Sequence, residues 1–528
     1  MASDGSAIAF AALVFGALVV WCFSHRRVDR TLAALGLYLG LFDAYLKLRT
    51  GNALVTIGRD VLVAAIAAGA LVRTLSSHQP LRVPPLGGFV LTFSAVVILG
   101  LFHPDGGSVS AGLAGLRQHL EFVPLFFLSY AFIRDEGQLQ KLLFILVLCA
   151  AVGGVVSYVQ STLTPQQFAE WGPGYRDRIL GNGVLSPRVA YGDAGVRTVR
   201  PFGLGSDIGA GAVAAALALP ALTALLMVAR GWLRAMMIPL SVGIALAIAT
   251  SGTRAALITV FVSAAAFAVI AAASRNALRV IVGLTIGAVL VYGAFNYLGS
   301  DTSTAERATT IAPDKVLSTF SRERGSGVRT FREYATSYPL GIGVGSVGPA
   351  ATALKRDSRA SQIFNTETEW NFLVLETGLL GLAVFLLINI RLMLLALTRI
   401  RRMRVAAVRL YLAAIAAPLF GLLAAGFAGP TTTAVPPAPY FWFAAGVLSY
   451  WLITSDRTRR LDPSAEVVAE PIAGQPSALP GSGRVPVAAR AARSAQERHG
   501  SATERPRQRH SRHSEGGGGH GGGQGAPA

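Results

Sequence analysis

Apolar stretches long enough to cross a lipid bilayer recur from Ala7 to Ile453, and no other feature of the chain limits its fold so tightly. A membrane-crossing helix needs about 20 mostly apolar residues. Without water in the bilayer core, every backbone polar group must be satisfied inside the segment, and the alternating pattern of a β-barrel is missing. The chain therefore reads as all-α, a polytopic transmembrane helix bundle. The runs are Ala7–Phe23, Thr31–Leu46, Leu54–Val72, Leu86–Phe102, Ala114–Ile133, Leu142–Leu163, Ile208–Ala229, Met236–Thr250, Ala255–Ala273, Val280–Leu298, Trp370–Leu397, Tyr411–Phe427 and Tyr440–Ile453. That is about 13 spans on the usual length criterion.

Charge orients the bundle. Only 14% of the 528 residues are charged, yet the formal net charge is +19. In a soluble protein such an excess would point to nucleic acid; here cationic loops hold topology, so no nucleic-acid partner is expected. The basic loops SHRRVDR, RDEGQLQK, RGWLR, SRNALR and TRIRRMRVAAVR fall at alternate junctions and belong on the cytoplasmic side. The amino terminus is then outside and the carboxyl terminus inside. Two long polar segments, Thr164–Asp207 and Gly299–Thr368, share the outer face with the short SGTRAAL hairpin. The first run lacks a basic leader and a cleavage site and reads as a retained span. Cys22 and Cys149 both lie within apolar runs, which supports neither a disulfide framework nor a metal site. Beyond Thr454 the chain is rich in Arg, Pro, Ala and Gly, ends GGGGHGGGQGAPA, and is expected to be disordered. The expected organisation is residues 1–198 as amino-terminal spans and first outer loop, 199–453 as membrane core with outer loop 299–368, and 454–528 as cytoplasmic tail.

Charges at the outer boundary are the functional candidates, because ionisable groups at the edge of hydrocarbon are costly without a partner or a watery cavity. Arg200, Arg254 and Arg329 each lie beside a membrane boundary or within the large loop. Guanidinium offers paired donors that match phosphate oxygens. An arginine at a helix end also snorkels to lipid phosphate, which is the plainer reading of each one alone. In YPLGIGVGS, Gly341, Gly343 and Gly345 permit a left-handed backbone and could form an anion-binding nest, or simply a tight packed loop. Glu367 and Glu369 are two apart and would point in different directions on a helix. Glu376, deeper in the same run, is either structural or catalytic. Asp43, Arg59 and Asp60 in the early runs read as internal packing partners.

Four segments between about Val199 and Leu387 carry a family resemblance: TVRPFGLGSD, SGTRAALITVF, GSGVRTFREYATSYPLGIGVGS and TETEWNFLVLETGLLGLAVF. Together they resemble the O-antigen ligase and O-antigen polymerase (Wzy-type) family of bacterial envelope glycosyltransferases. The resemblance implies a plasma-membrane enzyme that takes a glycan from a polyprenyl-diphosphate carrier on the outer face and transfers it to an acceptor hydroxyl on a glycan, lipid or wall polymer. It implies neither cofactor nor metal. The family's arginines bind the carrier diphosphate, which would assign that role to Arg200, Arg254 and Arg329. Its acceptor-activating histidine, aligned on ETGLLGL, falls at Glu367, with Thr368 and Trp370 replacing the family's asparagine and tyrosine; Glu369 is the rival carboxylate. A general base can be a carboxylate with a suitably tuned pKa. The alternative is a secondary transporter or flippase of a lipid-linked or anionic substrate, and a third reading is a structural assembly protein of the envelope.

Overall fold

The computed structural model describes residues 2–78, 83–106, 108–181, 189–191, 197–250, 253–271, 325–348, 351, 364, 368–431 and 433–454. These residues belong to the unit Met1–Glu466. They are helical apart from turns and one short antiparallel hairpin, β1 (Val189–Tyr191) and β2 (Arg197–Val199). The helices in chain order are α1 (Ala2–Ser24), α2 (Val28–Leu37), α3 (Asp43–Thr50), α4 (Ala53–Ser76), α5 (Gly87–Gly100), α6 (Val109–Leu120), α7 (Val123–Phe132), α8 (Glu136–Ser161), α9 (Pro165–Ala169), α10 (Pro173–Leu180), α11 (Ala210–Val228), α12 (Gly231–Thr250), α13 (Arg254–Ala271), α14 (Gly325–Ser337), α15 (Glu369–Arg399), α16 (Ala406–Ala425) and α17 (Pro437–Ile453).

Among the described residues, seven helical stretches are long and apolar enough to cross a membrane: Val28–Thr50, Val55–Ser76, Glu136–Ser161, Ala210–Val228, Gly231–Thr250, Glu369–Arg402 and Ala406–Ala425. Shorter apolar helices accompany them, among them Leu13–Ser24, Gly87–Gly100 and Ala255–Ala271. The protein is therefore a multi-pass membrane protein. The expected run Val280–Leu298 lies outside the described residues, as does the tail from Ser455.

The helices share two common ends, and side chains tie each end together. At the end carrying most of the basic loops, Arg73 bonds the Phe23 carbonyl, and Trp451 Nε1 donates to the Ile133 carbonyl at 3.2 Å. There too Arg401 Nη2 donates to the Val269 carbonyl at 2.6 Å, so arginines cap helix carboxyl termini, where their charge meets the negative end of the dipole. At the opposite, loop-bearing end, Arg49 bonds the Trp171 carbonyl. The buried Gln160 of α8 clamps the segment after β2: its Oε1 accepts from the Phe202 and Gly203 amides, both at 2.8 Å, and its Nε2 donates to the Gly203 carbonyl at 2.9 Å. An aromatic knot of Phe168, Tyr175 and Phe202 with Leu48 and Val199 seats the loop helices α9 and α10 on that end. Burial pushes the Tyr175 phenol above its ordinary value.

Among the described residues, three of the expected apolar runs are interrupted, each near an ionisable side chain. Between α2 and α3 the chain forms a π-helical segment, Tyr38–Phe42, that leads directly into Asp43. The run Ala114–Ile133, expected as a single span, is instead two helices that break at Glu121 and Phe122, with Pro124 in the first turn of α7. Proline has no amide donor to continue α6 and is well suited to start a new helix, which accounts for the break. Within α15, Gly378 has φ 68° and ψ −178°, two residues past Glu376.

Candidate functional site

The described part of the loop-bearing end is built around the first two turns of α15. Thr368 caps this helix, its Oγ1 accepting from the Asn371 amide at 3.2 Å. Asn371 Nδ2 in turn donates to the Gly327 carbonyl at 2.9 Å and to Thr330 Oγ1 at 3.0 Å, which docks the first turns of α14 on α15. Glu369 is buried; its amide donates to the Gly426 carbonyl at 2.8 Å and its carboxylate accepts from the Thr431 amide. Glu369 thus joins α15 to the turn after α16. Glu367 lies outside the described residues, and so does the side chain of Arg254.

The backbone still locates Arg254. It opens α13, and α13 packs antiparallel on α16, with Gly421 against Thr259 and Ser263. The start of α13 therefore lies with the end of α16 and hence with Glu369. Gly209, at the start of α11, meets Thr253. Arg200 is half-buried, immediately after β2 and before the residues clamped by Gln160. Arg329 is exposed on α14. The elements that carry Arg200, Arg254, Arg329 and Glu369 are thus gathered at one end of the bundle.

The glycine turn does something its sequence did not announce. Gly341, Gly343 and Gly345 have φ values of 81°, 94° and 77°, as expected for a left-handed turn. The turn is buried, however, and its amides face protein acceptors. The Ile342 amide donates to the Leu375 carbonyl at 2.7 Å and the Val344 amide to the Gly100 carbonyl at 3.2 Å. The amides of Gly345 and Val347 both donate to Glu376 Oε1, at 3.1 and 3.4 Å. The anion held by these two amides is therefore the protein's own carboxylate. The approach is close enough to require glycine on both sides: a Cβ on Gly345 would lie 1.9 Å from the Ala111 carbonyl oxygen, and one on Gly115 would lie 2.3 Å from the Gly345 nitrogen.

The second oxygen of Glu376 is 2.8 Å from Nε2 of His119, whose ring stacks on Phe372 with centroids 5.3 Å apart. Both side chains are almost completely buried. His119 lies on α6, and its neighbours two positions away turn to other partners. Arg117 Nη2 bonds Asp60 Oδ1 at 3.1 Å and the Thr56 carbonyl at 3.2 Å. Glu121 receives a two-pronged bond from Arg59, whose Nη2 lies 2.8 Å from Oε2, and Arg59 Nη1 bonds Asp43 Oδ2 at 3.1 Å. The Arg59 guanidinium also sits 5.2 Å from the Phe122 ring centroid. Asp43 Oδ1 is buried without a hydrogen-bond partner among the described residues.

Asp43 and Arg59 are thus packing partners, as read from the sequence, whereas Asp60 pairs with Arg117 rather than with its neighbour Arg59. The link from His119 to Glu376 crosses 257 positions and had no local signal. What the sequence did carry was the polar cluster Arg117, His119 and Glu121 at the start of an apolar run, a pattern that asks for buried partners. Among the described residues no group of His, Cys, Asp and Glu is arranged to hold a metal ion. No family model, curated protein or solved structure matches the chain.

Proposed function

We propose that this protein is a membrane glycosyltransferase of the O-antigen ligase and polymerase type, with about 13 spans, the amino terminus outside and the tail in the cytoplasm of a bacterium. In this reading an acceptor hydroxyl, deprotonated by Glu367, attacks the anomeric carbon of a glycan carried on polyprenyl diphosphate. The anomeric carbon–oxygen bond breaks with inversion, and the diphosphate leaves with the electron pair. Arg200, Arg254 and Arg329 stabilise that departing charge, the role preorganised cations fill best where water is excluded. Glu369 is placed as a brace for α15 rather than as the base, because its carboxylate is committed to Thr431. The glycine turn acts as a scaffold for Glu376 rather than as a phosphate cradle.

The observation that carries this reading is the meeting of the four resemblance-bearing segments at one end: the clamp after β2, the start of α13, the docked α14 and the cap of α15. The test is purified protein with a lipid-linked oligosaccharide. Release of free polyprenyl diphosphate is expected, with loss of at least 100-fold in Arg254→Ala and Glu367→Ala, the scale of a removed catalytic group. Full turnover in both variants sinks the mechanism.

A second reading has its own support. Interrupted helices meeting at buried charges are a recurrent design of secondary transporters, and the breaks at Tyr38–Phe42 and at Glu121 lead into one ionic cluster. Substrate accumulation in vesicles without bond cleavage would select it.

A further inference from the structure

One apolar cavity in the described region is distinct from the candidate site. It lies between α2 with its π-helical continuation, α8, the start of α11 and the turn into α17, and it shares no lining residue with the glycine turn, His119 or Glu376. Its space, about 180 Å³ and partly open to the outside, is walled almost entirely by aliphatic and aromatic carbon. The polar exceptions are spent: Tyr440 donates its hydroxyl to the Ile415 carbonyl at 2.9 Å, and the Cys149 thiol faces the Gly36 carbonyl at 4.0 Å, the limit of a weak contact.

A space of this chemistry does not hold water, because no wall group can replace the hydrogen bonds water would give up; apolar cavities stay dry or take an apolar guest. Its length identifies the guest. The lining positions on α8 run from Leu142 to Gly153. At a rise of about 1.5 Å per residue this wall is roughly 16 Å long, close to half of the ~30 Å hydrocarbon thickness of a bilayer. Gly36 on α2 and Gly153 on α8 both line the trough and present no side chain to it. We propose that this cavity is a built-in site for one hydrocarbon chain of a membrane lipid, running alongside α8 and filling the gap between α2 and α11. The occupant bears on the packing of the bundle and is independent of the glycosyltransferase reading.

The experiment uses the full chain, extracted with its own membrane in polymer discs and then moved to mild detergent, with native mass spectrometry and lipid extraction as readouts. One tightly held lipid per protein is expected, surviving washes that strip bulk lipid. Fatty acid released by saponification identifies a glycerolipid chain, whereas an unsaponifiable hydrocarbon identifies an isoprenoid; either outcome fits the site. Ala214→Phe and Gly153→Leu fill the trough from opposite walls, and each should lower retained lipid at least tenfold. Should both variants misfold, a phosphatidylcholine bearing a diazirine on its chain serves with the unaltered protein, and labelled peptides should fall within 142–153 and 210–217. No stoichiometric lipid in the unaltered protein, or equal retention in well-folded fillers, or labelling confined to other helices, overturns the proposal.

Discussion

Two carboxylates buried in this bundle are held in opposite ways. Both oxygens of Glu376 are occupied, one by the amides of Gly345 and Val347 and the other by His119, and its surroundings are largely aromatic and aliphatic. Asp43 has one oxygen on Arg59 and the other without a hydrogen-bond partner among the described residues, in a cluster that also holds Glu121, Asp60, Arg117 and, one turn away, Lys47. The first arrangement is a fully satisfied joint: it fixes where a turn sits on a helix. The second is an ionic cluster, in which shared cations tie α3 and α4 to the break between α6 and α7. Buried polar groups that are completely satisfied specify architecture, and incompletely satisfied ones keep chemistry available.

The comparison can be broken by substitution, and the largest effect is expected at Arg59. Arg59→Ala leaves Asp43 and Glu121 buried without their cation and should destabilise the protein by about 3–5 kcal/mol, the usual consequence of removing one side of a buried ion pair. Reversible unfolding in mixed micelles measures it, and a loss under about 1 kcal/mol would mean that water has already reached the cluster.

At the satisfied joint, Glu376→Ala strands two amides and the His119 ring, at a cost of about 2–4 kcal/mol, since each unsatisfied buried group carries its own desolvation penalty. Glu376→Gln keeps an acceptor for Gly345 and Val347 and should recover more than half of that loss. Equal damage from Gln and Ala would show that charge, not hydrogen bonding, holds the turn. Gly345→Ala should cost about 1–3 kcal/mol from left-handed strain and overlap with the Ala111 carbonyl, with amide exchange at Val347 accelerated. Smallest of all is Asp43→Asn: the amide oxygen still accepts from Arg59, and the change in stability should stay within about 1 kcal/mol. Unfolding in mixed micelles measures it, and a loss above about 2 kcal/mol would show that Arg59 needs the charge of Asp43 and not merely an acceptor.

The same two regions mark how far sequence reading reaches. Helix existence was legible over much of the chain, because apolar length is a local property, and the clamp after β2 and the start of α13 lie at one end of the bundle. The left-handed glycines were legible for the same reason. The partners were not. GIGVGS reads as an anion nest, and so it is, but whether its anion is a ligand or Glu376 depends on where α15 packs. The break at Glu121 had a local cue in Pro124, outweighed by the unbroken apolar run around it. The candidate base Glu367 and the side chain of Arg254 lie outside the described residues, so the site is placed by the helix ends that flank them.

The joint between His119 and Glu376 also sets an order of events during synthesis. The histidine enters the membrane with α6, and its carboxylate follows only after 257 further positions have been translated. At about 5–20 residues per second that interval is on the order of tens of seconds. Until then the early helices hold a polar ring with no mate in hydrocarbon. Closure of that one contact is therefore a natural checkpoint between a half-made and a finished bundle, and a chain cut anywhere before Glu376 would leave His119 without that partner.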